Sequence, residues 1–339
     1  MYFYLLTIAI LVLFINEYLL KKNILISETG DIHQKFASKS KIPLTGGLFI
    51  FMGYLYFLDE KILSFMLFSF TILILGFFSD LKLIKSAKRK FLFQILLVLS
   101  YVSFNDIQMN DTRIHFLDVI LNNDYINYLF ITFCILIVIN GSNFIDGMNT
   151  LCIGYYFLIG LVIFYLNLEG VITINGLSIL YIVILILAAF LLNITNQLYL
   201  GDSGSYLLGF SFSVFLVGIY NWNPDISPFF VILLLWYPCY ENLFSILRKN
   251  ILKRSPMHPD AKHIHQLIFF YIKKIFNLNI FSANTLTSQI INIYNLIIFV
   301  LGLNFITNTK IQVLLILFNV VTYTLAYYKF FKFRYKNRV

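Results

Sequence analysis

"YLFITFCILIVINGSNFIDGMNTLCIGYYFLIGLVIFYL", residues 128 to 166, decides the fold. Tyr128 to Ile139 is one apolar run and Leu151 to Leu166 is another, with the polar bend "NFIDGMN" (143–149) between them. Runs of this length are the size that crosses a hydrocarbon core. Apolar spans have no need of an aspartate between two asparagines in so tight a bend, so Asp146 requires another explanation.

The rest of the chain repeats the pattern. Its 339 residues are 60% hydrophobic and only 12% charged, with a mean hydropathy of +0.82. No soluble domain of this length could hide so much apolar surface and keep a polar shell. The 37 Phe and 23 Tyr suit a chain in which many helix ends meet a membrane interface. Spans are predicted near 2–20, 44–58, 62–79, 91–104, 126–140, 151–168, 172–192, 205–220, 228–247, 288–305 and 311–328. The expected fold is all-α, a polytopic membrane bundle of about eleven transmembrane helices forming one integral-membrane domain over 1–339. The first span lacks a basic leader and is followed by Lys21 and Lys22, so it reads as retained and not as a cleaved signal peptide. Cys134, Cys152 and Cys239 fall in or beside apolar runs without metal or disulfide spacing and read as small core residues.

Orientation follows from the basic residues. With the N-terminus outside, the inward stretches 21–43, 80–90, 248–287 and 329–339 hold all the Lys and Arg except Lys61, Arg113 and Lys310. The C-terminal basic tail, 329–339, and the loop 248–287 are then cytoplasmic. The net charge of +9 is thus a topology signal and not a nucleic-acid patch, which would interleave charge with stacking aromatics on a soluble face. In this orientation Asp80, Asp146, Asp202, Glu241 and Asp260 share the inner face. Charge at such a depth is costly and usually marks function.

Each polar element has a chemical reading beside a plainer one. Asn140, Asn143, Asp146 and Asn149 recur every third position, so neighbours stand one turn apart if the segment stays helical. A carboxylate flanked by amides suits a hard cation with a polar ligand; a capping turn is the alternative. "YLGDSGSYLLGF" (199–210) sets Asp202 between glycines just before a helix, whose N-terminus, with Ser203 and Ser205, could donate to phosphate; an ordinary N-cap also fits. "GFFSDLK" (76–82) places Asp80 at the inner end of a span, ahead of a basic loop that could serve orientation alone. In "KRSPMHPDAKHIHQLI" (253–268), His263 and His265 would face nearly opposite ways on a helix, and no further ligand completes a zinc site. With Lys262 they suit donation to an anionic ligand. "KIPLTGG" (41–47) opens a span with Lys41 and could be only a helix start.

Together, "PLTGG", "GFFSD", "NGSNFIDGMN", "GDSGS" and "PDAKHIH", in this order over about 35–270 on one membrane face, resemble the polyprenyl-phosphate N-acetylhexosamine-1-phosphate transferase superfamily. The resemblance implies a bundle of ten or eleven spans in a bacterial cytoplasmic (inner) membrane, with the active site facing the cytoplasm. The implied reaction is attack by a polyprenyl (undecaprenyl) phosphate on the β-phosphorus of a UDP-N-acetylhexosamine, giving a lipid-linked sugar diphosphate and UMP. Mg²⁺ is the implied cofactor, with Mn²⁺ able to substitute. Phosphoryl transfer needs positioning and charge neutralisation more than covalent help, and Mg²⁺ takes only one or two carboxylates beside phosphate oxygens. Carried over by position, Asp146 is the first metal ligand and Asp80 stands for the second acid of an Asp-Asp pair. Asp202 joins them at the metal. His263 and His265 match a histidine cluster that meets the diphosphate or uridine. Lys41, Asn140 and Asn143 line the nucleotide side, and Asn149, Ser203 and Lys262 complete the expected substrate contacts.

Three departures stand out: Ser79 precedes Asp80 where an Asp is usual, Asn149-Thr150 replaces a frequent Asp-Gly, and Gln266 follows His265 where many members carry a further His. The "PD…HIH" form resembles the branch that starts surface polysaccharides (O-antigen, capsule or teichoic type) more than the phospho-MurNAc-pentapeptide branch of peptidoglycan synthesis. The rival from another class is an ion-coupled transporter, which predicts acids near the bilayer midplane and a paired repeat; neither is visible. A homodimer is compatible with this reading.

Overall fold

A computed structural model describes residues 2–27, 41–57, 62–253 and 261–335. Lys61, Asp260 and the stretch 28–40 lie outside these residues. Among the described residues the secondary structure is helical, and the one β-bridge joins Ile26 to Pro43. Among the described residues, nine helices are long and apolar enough to cross a membrane: α1 (Tyr2–Lys22), α3 (Leu63–Asp80), α6 (Asp124–Ile145), α7 (Leu151–Leu168), α8 (Gly176–Ile194), α9 (Gly201–Trp222), α10 (Pro228–Ile251), α12 (Ile280–Leu303) and α13 (Thr309–Tyr335). The two other expected spans are helices of a different kind. In α4 (Ala87–Phe104) the first turn carries Lys88, Arg89 and Lys90, which leaves a shorter apolar part. In α2 (Gly46–Tyr54), even with the 3-10 turn Leu55–Phe57, the rise is only about 18 Å at 1.5 Å per residue, short of a hydrocarbon core. Two short helices, α5 (His115–Leu121) and α11 (Ile264–Ile275), were not expected from the sequence.

Local chemistry starts the helices where they start. Asn123, Asn175 and Asn279 each accept a first-turn backbone N–H through the side-chain oxygen, and Ser227 does the same ahead of Pro228 at the first helical position. At the centre lies α9, the most deeply buried of the spans. Its neighbours come close because they present glycine: a Cβ on Gly76 of α3 would stand 2.2 Å from Ser203 Cα, and one on Gly47 of α2 would stand 2.7 Å from the Gly204 nitrogen. In a bilayer, where apolar area does not drive helices together, such small-residue contacts supply the packing.

Pro238 interrupts α10 and has no N–H for the Leu234 carbonyl one turn earlier. That carbonyl would be an unpaired acceptor in an apolar medium. Tyr155 of α7 donates its hydroxyl to it at 2.7 Å. At the far end, Arg113 joins three connections: its two terminal nitrogens donate to the Thr307 carbonyl and Thr309 Oγ1, and to the carbonyls of Pro224, Asp225 and Ile226.

Candidate active site

The C-terminal ends of α3 and α6 and the N-terminal end of α9 converge, and each brings an acid. Asp80, the last residue of α3, accepts from the backbone N–H of Asp202 at 2.8 Å and of Ser203 at 3.1 Å. It thus satisfies two of the unpaired donors that open α9, where the helix dipole favours negative charge. Gly201 makes this approach achievable: its φ is +69°, and a Cβ there would stand 2.8 Å from Asp80 Oδ2. The backbone donors expected to face a phosphate are therefore already taken by Asp80. Asp202 lies inside the first turn of α9, not ahead of it. The Ser203 hydroxyl is fully buried without a hydrogen-bond partner among the described residues.

Asp202 is the most engaged of the three acids. Its Oδ1 accepts from Asn143 Nδ2 at 2.6 Å; its Oδ2 accepts from the Ser79 hydroxyl, from Tyr206 at 3.3 Å and from the Lys90 ammonium at 3.4 Å. Asp146 caps the end of α6, its backbone N–H donating to the Ser142 carbonyl at 3.1 Å. Its carboxylate meets the Gly201 backbone N–H and carries fewer protein hydrogen bonds than the other two acids. Withdrawal from water pushes the Asp146 carboxyl well above the usual carboxylate range, and the Asp202 and Asp80 charges push it the same way.

Other predicted residues are distributed differently. α6 stops before Asp146 and Thr150 adopts a left-handed φ of +66°, so the three-residue register does not continue. Asn149 turns away: its N–H donates to Asn284 Oδ1 at 3.0 Å and its Nδ2 to Asn196 Oδ1 at 2.8 Å. Asn140, one turn deeper than Asn143, donates to Gln94 Oε1 at 3.0 Å. Lys41 is exposed and donates to Asn23 Oδ1 at 2.5 Å.

The histidines do not face opposite ways. His263 is the N-cap of α11 in an extended conformation, so only His265 is on the helix, and their rings lie parallel with centroids 5.6 Å apart. His263 Nδ1 meets Glu241 Oε1 at 2.8 Å. His265 is fully buried, and neither ring nitrogen has a hydrogen-bond partner among the described residues. Its Nε2 would stand 2.6 Å from a Cβ on Gly147, which places the ring against the bend that carries Asp146. Burial pushes His265 down to about 3, so it is a neutral imidazole at physiological pH. The Lys262 ammonium lies over the Phe331 and Tyr335 rings, 5.7 Å from each centroid.

Sequence reasoning gave no individual role to Lys90, Tyr206, Glu241 or Tyr323. For Glu241 a signal existed, an acid inside an apolar helix. Lys90 was one of several basic residues in its loop, and nothing local separates it from Lys88 or Arg89.

The arrangement suits a cation held by few protein ligands. Of the three acids, Asp202 pairs with the Lys90 ammonium, and among the described residues no group of three His, Cys, Asp or Glu side chains forms a ready metal cage. Mg²⁺ needs no such cage: it keeps waters and shares its sphere with substrate phosphates.

Residues 62–220 match the sequence model of the family described as glycosyl transferase family 4. The matched segment contains Asp80, Asp146 and Asp202 but not the histidine segment. The chain is 28% identical over 288 residues, 77% of each protein, to a probable undecaprenyl-phosphate N-acetylglucosaminyl 1-phosphate transferase of Bacillus subtilis. It is 27% identical over 229 residues, 67% of each, to an undecaprenyl-phosphate alpha-N-acetylglucosaminyl 1-phosphate transferase of Thermotoga maritima. A decaprenyl-phosphate N-acetylglucosaminephosphotransferase of Mycolicibacterium smegmatis is 26% identical over 165 residues, 42% of this chain and 40% of that protein.

Proposed function

Because the chain belongs to glycosyl transferase family 4, among the polyprenyl-phosphate hexosamine-1-phosphate transferases, we propose that it transfers a sugar 1-phosphate from a UDP-N-acetylhexosamine to a polyprenyl phosphate. The observation that carries this reading is the meeting of Asp80, Asp146 and Asp202 with Lys90 and Asn143 at one end of the bundle. A lipid acceptor and a water-soluble nucleotide sugar can meet only where spans end, and the end rich in Lys and Arg is the cytoplasmic one under the charge rule. The location that follows is a bacterial inner membrane with the site facing the cytoplasm.

In the reaction a phosphate oxygen of the lipid forms a bond to the β-phosphorus of the UDP-sugar, and the bond from that phosphorus to the bridging oxygen breaks. UMP leaves with the electron pair. The second pKa of a phosphate monoester is near 6, so the lipid phosphate is mostly a dianion at neutral pH and needs no base to ionise it. Ser79 fits this economy: its hydroxyl donates to Asp202 and has no proton to take from the acceptor. Asp80 fixes the first turn of α9, and so the placement of Asp202. Lys90 and Asn143 hold the Asp202 carboxylate and put one positive charge beside the acids. Asp146, whose carboxylate carries the fewest protein hydrogen bonds of the three, would hold Mg²⁺, and Asp80 and Asp202 would face it. When bound, the cation neutralises diphosphate charge as it develops on the leaving group.

Membranes containing the protein, given radiolabelled UDP-N-acetylglucosamine and undecaprenyl phosphate, are expected to release UMP and form a lipid-extractable sugar diphosphate. Turnover only with UDP-MurNAc-pentapeptide would move the chain to the peptidoglycan branch. No UMP with any UDP-N-acetylhexosamine would defeat the proposal.

A further inference from the structure

The histidine segment is held from behind by a polar assembly that the reaction above leaves unused. Glu241 sits in α10 just after its apolar first half and is 1% exposed. A carboxylate in such a place is costly unless both oxygens are paired. They are: Oε1 meets His263 Nδ1 at 2.8 Å, and Oε2 accepts from the Tyr323 hydroxyl at 2.6 Å. Tyr323 belongs to α13, the last helix.

The backbone of the same segment is fixed independently. Arg334 of α13 donates to the Ala261 carbonyl at 2.7 Å, and Arg248 of α10 donates to the Lys262 carbonyl and to the Tyr327 hydroxyl. The chain from Ala261 to Lys262 therefore has its anchors without Glu241. What Glu241 adds is directed at one ring nitrogen. A clasp that needed only shape could use a neutral amide and avoid burying a charge.

We propose that Glu241 is a positioning residue: it fixes which nitrogen of His263 carries the proton and holds the ring parallel to His265, while Tyr323 holds Glu241. The second nitrogen of an imidazole takes its role from the bond that the first one makes. The inference rests on the transferase reading, in which this segment meets the diphosphate or uridine of the donor. It ties α13, distant in sequence from the acids, to the chemistry.

The test separates charge from shape. Glu241→Gln keeps the outline and one acceptor but loses the charge; Glu241→Asp keeps the charge. Nitrogen NMR of ¹⁵N-histidine-labelled protein, with signals assigned by His263→Gln, is expected to show Nδ1 protonated in the wild type and a changed protonation pattern in Glu241→Gln. In turnover, Glu241→Gln is expected to lower kcat/KM about ten- to a hundredfold, the range for partners that orient functional histidines at metal sites. Glu241→Asp should recover part of the loss. If Glu241→Gln does not accumulate, Tyr323→Phe gives the same readouts with a smaller loss. Wild-type kcat/KM and an unchanged His263 signal in the variant that folds would overturn the inference. The NMR arm needs no turnover: an active wild type with unprotonated Nδ1 defeats the Glu241 role alone. An inactive wild type with protonated Nδ1 counts against the transferase reading alone.

Discussion

Asp146 titrates against its neighbours, and that gives a handle on the cation. Its carboxyl is raised well above 3.8 by burial and by two like charges. A folded-state value above the unfolded one means stability that is present below the unfolded value and lost as pH rises toward the folded one. A divalent cation favours the ionised form and offsets that loss. Mg²⁺ should therefore raise the thermal midpoint more at pH 8 than at pH 5.5, and Asp146→Asn should abolish the difference. In turnover Asp146→Asn is expected to lose at least about a hundredfold, the scale of one preorganised electrostatic contact. A Mg²⁺ shift independent of pH, or full activity in EDTA, would remove the assignment. The neighbouring pair separates in the same way. Ser79 is one of four donors to Asp202, so Ser79→Ala should keep more than about a tenth of the rate, since general-base catalysis worth 10² to 10⁴ is not in play. Asp80→Asn replaces one of two acceptors at the start of α9 by a donor and should fall much further. Equal losses in the two variants would give the serine a direct role. Asp80, Asp146 and Asp202 were legible in the sequence because an acid beside an apolar run has few innocent reasons to be there. The hydrogen bonds that sort them were not, because Asp80, Lys90 and Asn143 reach Asp202 across more than fifty residues of chain.

Helices were legible where their apolar runs are long. The length of α2 was less so, because the apolar stretch 44–58 does not show where its helix begins and ends. The histidine pair was misjudged for a related reason: one residue of difference in where α11 begins turns opposed rings into parallel ones. The α7–α10 contact offers a test of how elements compensate each other. Tyr155→Phe leaves the Leu234 carbonyl unpaired in the core and should cost about 1–3 kcal/mol of stability. Pro238→Ala restores an N–H to the same carbonyl, so the tyrosine change should cost less in that background. A double-mutant cycle by thermal unfolding in detergent measures the coupling; strict additivity would mean that the hydroxyl and the proline act separately.

At the scale of the whole chain, most of the described basic residues, Arg113 and Lys310 excepted, fall toward the end of the bundle that holds the acids of the site, so topology and function stand or fall together. Reporter fusions after Lys41, Lys88 and Lys262 are expected to read cytoplasmic, and fusions near Asp111 and Asn223 external. A cytoplasmic signal at Asp111 would invert the molecule and deny the site its soluble donor. Arg113 has a meaning at this scale too. Its one side chain bolts together the α4–α6, α9–α10 and α12–α13 connections through backbone oxygens, groups that no substitution elsewhere removes. A pump that admits its cargo from one side and releases it at the other must unbolt such a seam on every cycle. Here Arg113 fastens that seam with hydrogen bonds to three connections, and under the proposed reaction a product made at the opposite face would leave sideways, into the leaflet where its lipid tail lies.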